Sequence, residues 1–144
     1  MATHGRSRQT RASAESIWRL WSDPSTWHEW NPNVQRMEMN GPFANGTTGV
    51  MHTRAGQHHR VQLGNIQPGR SFDLGTAVIP LTHFTFHCEV VPNPSGSAIS
   101  QSVSVSGPLA LVFSPLAGDR IAASFEPLLK GLADKAEGAT ATAS

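Results

Sequence analysis

The chain has 144 residues, of which 38% are hydrophobic and 15% are charged, and its formal net charge at pH 7 is +1. This size and composition indicate one folded domain with a core of its own and exclude a disordered chain. The near-neutral balance argues against a protein that binds nucleic acid or an anionic membrane through a basic surface.

The chain contains a single cysteine, Cys88, which excludes an internal disulfide and which we interpret as a small buried apolar residue. No apolar run approaches the roughly 18 residues needed to cross a bilayer, so we expect no membrane insertion. Since the first residues lack the apolar segment of a secretory signal, we expect a cytoplasmic protein.

The first part of the chain predicts one strand and two short helices. Residues 4–10 are interpreted as the strand. Ser13 is a good N-cap for the first helix because its hydroxyl can accept from the free amides of the first turn. Asp23 follows this helix and is placed to cap a second one from Trp27 to Trp30. One face of the first helix is apolar and comprises Ile17, Leu20 and Trp21.

From residue 33 to residue 107 apolar and polar residues alternate, which predicts six further strands joined by short turns. The predicted strands are Val34–Asn40, Thr47–Arg54, Gln57–Ile66, Arg70–Ala77, Leu81–Val91 and Ser97–Ser106. The alternation is clearest in the fifth of these, where one face carries Phe84, Phe86, Cys88 and Val90, and the other carries His83, Thr85, His87 and Glu89.

After Gly107-Pro108 the apolar period returns to 3.6 residues, which predicts one long C-terminal helix. Its apolar stripe comprises Ile121, Phe125, Leu128 and Leu132, and apolar residues from Leu109 to Leu116 are expected to extend it upstream. Pro115 and Pro127 should each bend or interrupt it. Residues 1–137 are therefore expected to form a single domain, and 138–144 a flexible tail.

These elements together predict an α+β protein. Antiparallel strands joined by short turns form one curved sheet of seven strands. One face of this sheet is exposed to solvent, and the other is apolar and must be buried by another element. Only the C-terminal helix is long enough to supply that cover. We therefore expect an apolar cavity between the sheet and this helix.

The segment from Ala12 to Trp18, with Leu20, Asp23 and the run Trp-His-Glu-Trp-Asn-Pro at 27–32, resembles the opening of a known family. The family is the polyketide cyclase/dehydrase branch of the SRPBCC, or START-like, superfamily. Gly96 and Gly107-Pro108-Leu109 also fit it. The resemblance spans residues 4–136 and implies the helix-grip fold, a curved antiparallel sheet around a long C-terminal helix, with two short helices between strands 1 and 2.

The resemblance does not specify a reaction or a ligand, because the superfamily includes aromatic polyketide cyclases, lipid and hormone binders and quinone-binding proteins. Its cyclases often place Tyr, Trp, Arg and Asn in the cavity, whereas this chain has no tyrosine. This departure favours binding over cyclase chemistry.

The tryptophans are the first candidates for contact with a ligand. We assign Trp18 and Trp21 to core packing and expect Trp27 and Trp30 to line the cavity. The remaining candidate ligand-binding residues are apolar and soft or aromatic, namely Met37, Met39, Phe72, Phe84, Phe86, Val103, Phe113, Leu116 and Phe125.

The hairpin around Ala55-Gly56 carries the candidate catalytic residues. A two-residue turn would place His52 opposite His59 on the apolar face of the hairpin, with Arg54 near the cavity rim. Imidazoles in that position can act as acid, base or polar anchor. The alternative is two solvated histidines at a hairpin end, and a slip of one residue in register would flip the faces and remove this role.

We expect neither a metal site nor a cofactor. His83 and His87 have the spacing of zinc ligands on a helix, but on a strand they lie about 13 Å apart. The sequence contains no glycine-rich phosphate loop and no nucleophile elbow.

Three functions remain open from the sequence. The leading one is a monomer or homodimer that binds a small hydrophobic molecule, whether lipid-like, aromatic or polyketide-like. The second is a cyclase or dehydratase in which His52, His59 or Arg54 moves protons or stabilises an enolate. The third is a stress-response or interaction module without a small ligand, which would need an exposed apolar patch.

Overall fold

A computed structural model describes residues 3–76, 82–107 and 120–143. Seven antiparallel strands form one sheet in the order β1-β7-β6-β5-β4-β3-β2, which confirms the predicted architecture. The strands are β1 (Thr3–Thr10), β2 (Val34–Met39), β3 (Thr48–Thr53), β4 (His58–Gln67), β5 (Ser71–Thr76), β6 (His83–Asn93) and β7 (Gly96–Ser106). The helices are α1 (Ala14–Trp21), α2 (Trp27–Trp30) and α3 (Phe125–Ala143), with a 3-10 turn at Pro24–Thr26.

Ser13 caps α1 as predicted, whereas Asp23 caps the 3-10 turn Pro24–Thr26 instead of α2, whose N-cap Thr26 makes no side-chain cap bond. The Ser13 hydroxyl accepts from the Ser16 amide at 3.1 Å, and the Asp23 carboxylate accepts from the Ser25 amide at 3.2 Å. The indole Nε1 of Trp27 donates to the Trp21 carbonyl oxygen at 3.1 Å. This buried bond joins the end of α1 to the start of α2 and fixes the angle between them.

Helix α3 covers the inner face of the sheet and packs against β1, α1 and α2. Its buried side is apolar and includes Phe125, Leu128, Leu129, Leu132, Ala133 and Ala136. The strands contribute the opposite wall of the core, with Phe72, Phe84, Val90, Ile99 and Val103 almost fully buried. Within the described ranges, no helix has the length and apolar character needed to span a bilayer.

The C-terminal helix is interrupted near Pro127, as predicted. Residues 120–123 are helical, and α3 starts afresh at Phe125. Pro127 has no amide hydrogen, and in a continuous helix its ring would meet the carbonyl of residue 123. The chain turns at Ser124, whose hydroxyl donates to the Ile121 carbonyl oxygen at 2.6 Å.

Two further predictions for this region have different outcomes. The upstream extension from Leu109 to Leu116, with its bend at Pro115, lies outside the described residues. At the other end, α3 continues to Ala143, past the point where we expected the flexible tail to begin.

The predicted register of the β3–β4 hairpin is wrong by one residue. His52 pairs with His58, and His59 pairs with Met51. The loop has three residues rather than two, since the Gly56 amide donates to the Thr53 carbonyl and the Thr53 amide to the Gln57 carbonyl. Gly56 has a φ of 86°, the left-handed conformation that a three-residue hairpin loop needs at its last position. Ala55 does not favour the positive φ that a two-residue turn of this sequence would need.

The outer face of the sheet carries a histidine between two carboxylates. His87 Nδ1 lies 2.5 Å from Asp73 Oδ1, and Nε2 lies 3.4 Å from Glu89 Oε1. Partial burial works against the charged imidazole, but the hydrogen bonds and charges of Asp73 and Glu89 outweigh it. The pKa of His87 is therefore raised above its usual value.

A raised pKa in the folded state means that His87 stabilises the protein below pH 6.5 and loses this contribution as the pH rises through its folded value. We expect the unfolding temperature to fall more steeply between pH 6 and pH 8 in the wild type than in His87→Gln. The side chain is 43% exposed, so the difference should stay below about 1 kcal/mol. Equal slopes in calorimetric scans of the two proteins would contradict this assignment.

Candidate ligand-binding site

A cavity of about 170 Å³ lies between the inner face of the sheet and the start of α3. The helix pair contributes three indoles, Trp21, Trp27 and Trp30. The remaining wall comes from the loop after α2 (Asn31, Asn33), from the strands (Val34, Met51, Phe72, Leu74, Phe86, Cys88, Gln101) and from the interrupted helix (Ile121, Ser124, Phe125, Leu128). Most of these side chains are apolar, which suits a small hydrophobic guest.

Phe72 stands at the centre of the aromatic part of the wall. Its ring centroid lies 5.5 Å from that of Trp21 and 6.0 Å from that of Trp27. Trp27 is 6.1 Å from Trp30 in turn. On the opposite side, the rings of Phe86 and Phe125 meet edge to face at 6.0 Å. Such tilted and edge-on contacts fix the positions of the rings.

Some polar groups of the buried wall make hydrogen bonds within the described part of the chain, and others do not. Trp27 donates its indole hydrogen to the Trp21 carbonyl, as described above. The Nε1 atoms of Trp21 and Trp30 are buried and have no hydrogen-bond partner in the described part of the chain. The Cys88 thiol donates to Gln101 Oε1 at 3.5 Å. Burial raises the pKa of this thiol, which favours the protonated form over the nucleophilic thiolate.

The cavity reaches the surface on one side, and the described part of its wall carries no charged side chain. Asn33 and Ser124 are exposed members of its wall and mark that side, whereas Trp21 and Phe72 close the buried end. Among the wall residues in the described ranges, none is an Asp, Glu, Lys or Arg. A charged guest would lose its hydration here without gaining an opposite charge, which is strongly unfavourable.

Several sequence-derived candidates lie in this wall and others do not. Trp27, Trp30, Phe72, Phe86 and Phe125 line the cavity. Phe84 and Val103 are buried in the core, and Met37 and Met39 are half-buried against it, outside the lining. Phe113 and Leu116 lie outside the described residues.

The three candidate catalytic residues are not brought together. His52 points to the outer face, where its Nδ1 lies 2.6 Å from His58 Nδ1 and its Nε2 lies 2.7 Å from Glu38 Oε1. His59 points to the inner face beside Met51 but is not part of the cavity wall. The register shift is the cause, because one residue of slip sends neighbouring side chains to opposite faces.

Arg54 is not part of the cavity wall, although its backbone contacts the exposed wall residue Asn33. Its guanidinium donates to the His28 carbonyl oxygen at 2.9 Å, and its backbone amide donates to the Asn33 carbonyl oxygen at 3.1 Å. The residue therefore attaches the tip of the β3–β4 hairpin to the end of α2 and to the loop that follows.

The sequence interpretation did not assign three residues to the cavity wall that line it in the structure. Trp21 was assigned to the core alone, although it both packs in the core and lines the cavity. Gln101 stands at an inward position between Ile99 and Val103, and a lone amide in an apolar alternation is a signal that was available. Cys88 faces Gln101 across β6 and β7, which only the strand register reveals.

A wider depression of about 900 Å³ lies across β3 to β6. Its wall contains exposed polar residues, among them Arg60, Gln62, Asn65 and His83. Because it stays wet, an apolar molecule would gain little from entering it. The smaller cavity is therefore the candidate site, although it has less volume.

Comparison with known proteins gives one family match and many structural neighbours. Residues 1–137 match the family described as polyketide cyclase/dehydrase and lipid transport. No curated protein matches the chain at a significant level.

The structural neighbours cover nearly the whole chain. Protein XoxI from Bacillus cereus is 18% identical with a TM-score of 0.77, and the match covers 94% of this chain and 95% of that one. A START superfamily protein from Mycobacterium smegmatis is 16% identical with a TM-score of 0.72, covering 94% and 97%. Protein CV1439 from Chromobacterium violaceum is 18% identical with a TM-score of 0.71, covering 94% and 96%. At such identities the likeness shows a shared fold alone.

Proposed function

The chain belongs to the polyketide cyclase/dehydrase and lipid transport family, and we propose that it binds a small, neutral, hydrophobic molecule in the cavity beneath α3. Membership and fold agree with the START-like resemblance that the sequence shows. The ligand itself is not given by the family, since its members differ in what they bind.

The observation that carries this proposal is the composition of the cavity wall. Apolar and aromatic side chains surround about 170 Å³, and the few polar groups sit at defined points. A guest that buries apolar surface there gains about 25 cal/mol per Å². A ring the size of toluene would gain several kcal/mol, which corresponds to a dissociation constant of roughly 0.1–1 mM.

Toluene is expected to stabilise the folded protein. At ten times its dissociation constant, the linkage between binding and folding predicts a gain of about 1.4 kcal/mol and a rise in unfolding temperature of roughly 4 °C. Differential scanning fluorimetry across a toluene series measures this directly.

A filled cavity provides the matched control. Met51 lines the cavity and is half-buried, so Met51→Trp should occupy the space and abolish the toluene response. Met39 is also a half-buried methionine but lies outside the lining, so Met39→Trp should keep the response. No toluene response in the wild type, or the same response in Met51→Trp, would refute the proposed site.

A further inference from the structure

We propose that Gln101 is the polar anchor of the cavity and that its side-chain amide donates a hydrogen bond to an oxygen atom of the bound ring compound. Gln101 lies on β7, in the cavity wall and opposite Cys88 on β6. The inference rests on the proposed function and adds the chemical class of the ligand, a neutral ring with an oxygen substituent.

Gln101 is an amide at a position where its neighbours on β7 are apolar. Ile99 and Val103, which share its face of the strand, are fully buried, and Gln101 itself is only 8% exposed. A buried amide that lacks hydrogen-bond partners costs about 1–3 kcal/mol, whereas an apolar side chain of the same size would not carry this cost. A ligand that completes the hydrogen bonds of Gln101 would account for an amide at this position.

The amide nitrogen of Gln101 is available to a molecule in the cavity. Nε2 makes no hydrogen bond within the described part of the chain. It also differs from the indole nitrogens of Trp21 and Trp30, which have no partner but are fully enclosed. Because Gln101 is buried and lines the cavity, the surface that Nε2 keeps accessible opens into the cavity.

Cys88 determines which end of the Gln101 amide is left for a ligand. The Cys88 thiol donates to Gln101 Oε1 at 3.5 Å. An S–H group needs an acceptor, and the oxygen is the only acceptor of an amide side chain. Burial raises the pKa of the thiol, which favours this protonated, donating form. The amide oxygen therefore faces Cys88, and the nitrogen remains for an acceptor on the ligand.

The other side-chain amides and hydroxyls of the described wall lie toward its open side. Asn33 and Ser124 are exposed, so water can satisfy them before and after a ligand binds. Asn31 Oδ1 already accepts from the Asn33 amide at 2.9 Å. A hydrogen bond to the buried Gln101 is shielded from water and is therefore stronger than one made at the open side.

Size and charge narrow the class of ligand further. A cavity of about 150 Å³ lined by apolar side chains is known to hold benzene, so the 170 Å³ here suits a single ring with a short substituent. Arg6 pairs with Gln101 across β1 and β7, but it lies outside the wall, and its Nε is 3.5 Å from Glu126 Oε1. An anionic ligand would thus find no opposite charge in the described wall, which favours a neutral oxygen group.

Acetophenone and α-methylstyrene test the inference, because they share one shape and differ only in a carbonyl oxygen against a methylene group. Gln101→Met keeps the length of the side chain and removes its amide. The ratio of the two dissociation constants, measured by heteronuclear NMR titration, should move about fivefold against acetophenone in Gln101→Met. Comparing this ratio between the two proteins cancels the different hydration of the two compounds.

Two variants at the open side of the cavity are the matched controls. Asn33→Ala and Ser124→Ala each remove an exposed polar group of the same wall and should keep the wild-type ratio. The unliganded Gln101→Met protein should be at least as stable as the wild type, since it loses only the weak bond to Cys88. An unchanged ratio in Gln101→Met, or a ratio that falls in Asn33→Ala or Ser124→Ala instead, would overturn the inference.

The side-chain amide signals of Gln101 provide a direct readout of the bond. They are assigned by their absence in Gln101→Met, and their protons should shift downfield with acetophenone but not with α-methylstyrene. Equal shifts with both compounds would contradict a bond to the ligand oxygen. If toluene binds and acetophenone does not, the inference fails and the proposed function stands. If none of the three compounds binds, both fail.

Discussion

Gly131→Ala is expected to destabilise the protein by about 3 kcal/mol and to lower its unfolding temperature by roughly 9 °C. A Cβ atom at Gly131 would lie 2.2 Å from the Trp30 carbonyl oxygen, far inside van der Waals contact. Both groups belong to the backbone of packed helices, so neither can rotate away. Helix α3 would have to move off α2, and α2 carries two of the cavity indoles.

The expected effect of Gly131→Ala has the opposite sign to that of an ordinary glycine-to-alanine replacement in a helix. A glycine inside a helix normally destabilises it, and replacement with alanine normally gains about 1 kcal/mol. Gly138 lies in the same helix, and a Cβ there meets nothing within 4 Å. Gly138→Ala should therefore raise the unfolding free energy in urea titrations, whereas Gly131→Ala should lower it. If Gly131→Ala is also stabilising, α2 and α3 do not meet as described.

Phe72→Ala is expected to cost about 3–5 kcal/mol, or roughly 12 °C in unfolding temperature. The ring is 2% exposed and contacts the rings of Trp18, Trp21, Trp27 and Phe43 at 5.2–6.3 Å. Removing it deletes the centre of the aromatic cluster and enlarges the cavity. The surrounding indoles are fixed by helices, so the space cannot close fully.

Because the deleted group is a ring, an added ring should recover part of the loss. Toluene is expected to stabilise Phe72→Ala more than it stabilises the wild type. Phe43→Ala is the matched control, since Phe43 touches Phe72 at 5.2 Å but is only half-buried and does not line the cavity. It should lose less stability and show no extra response to toluene. An equal response in both variants would mean that toluene acts outside this cavity.

The sequence predicted the fold because the fold depends on periodicity. Alternation along β6 and β7 and the 3.6-residue stripe on α3 assign each side chain to a face without reference to other elements. Local caps behave in the same way, as Ser13 shows. The interruption before Phe125 also follows from one residue, Pro127, acting on its own turn.

The site was harder to predict because it depends on distances between elements. The position of His52 depended on one residue of loop length, and Ala55 at the first position of a two-residue turn was the sequence signal against that turn. The place of Trp21 in the cavity wall depends on how α1 packs against the sheet, because the spacing of Trp21 along α1 indicates burial alone. Neither fact follows from composition or from hydrophobic pattern.

The most direct test of the central claim, that a small ring compound occupies the cavity beneath α3, is a crystal structure of the protein with bromobenzene. Anomalous scattering from bromine locates the guest without reference to its shape. We predict a single strong bromine peak among Trp27, Phe72, Phe86 and Phe125, and its loss in Met51→Trp. A protein that crystallises in the same form with no bromine in this cavity, or with bromine only in the outer depression across β3 to β6, would contradict the account.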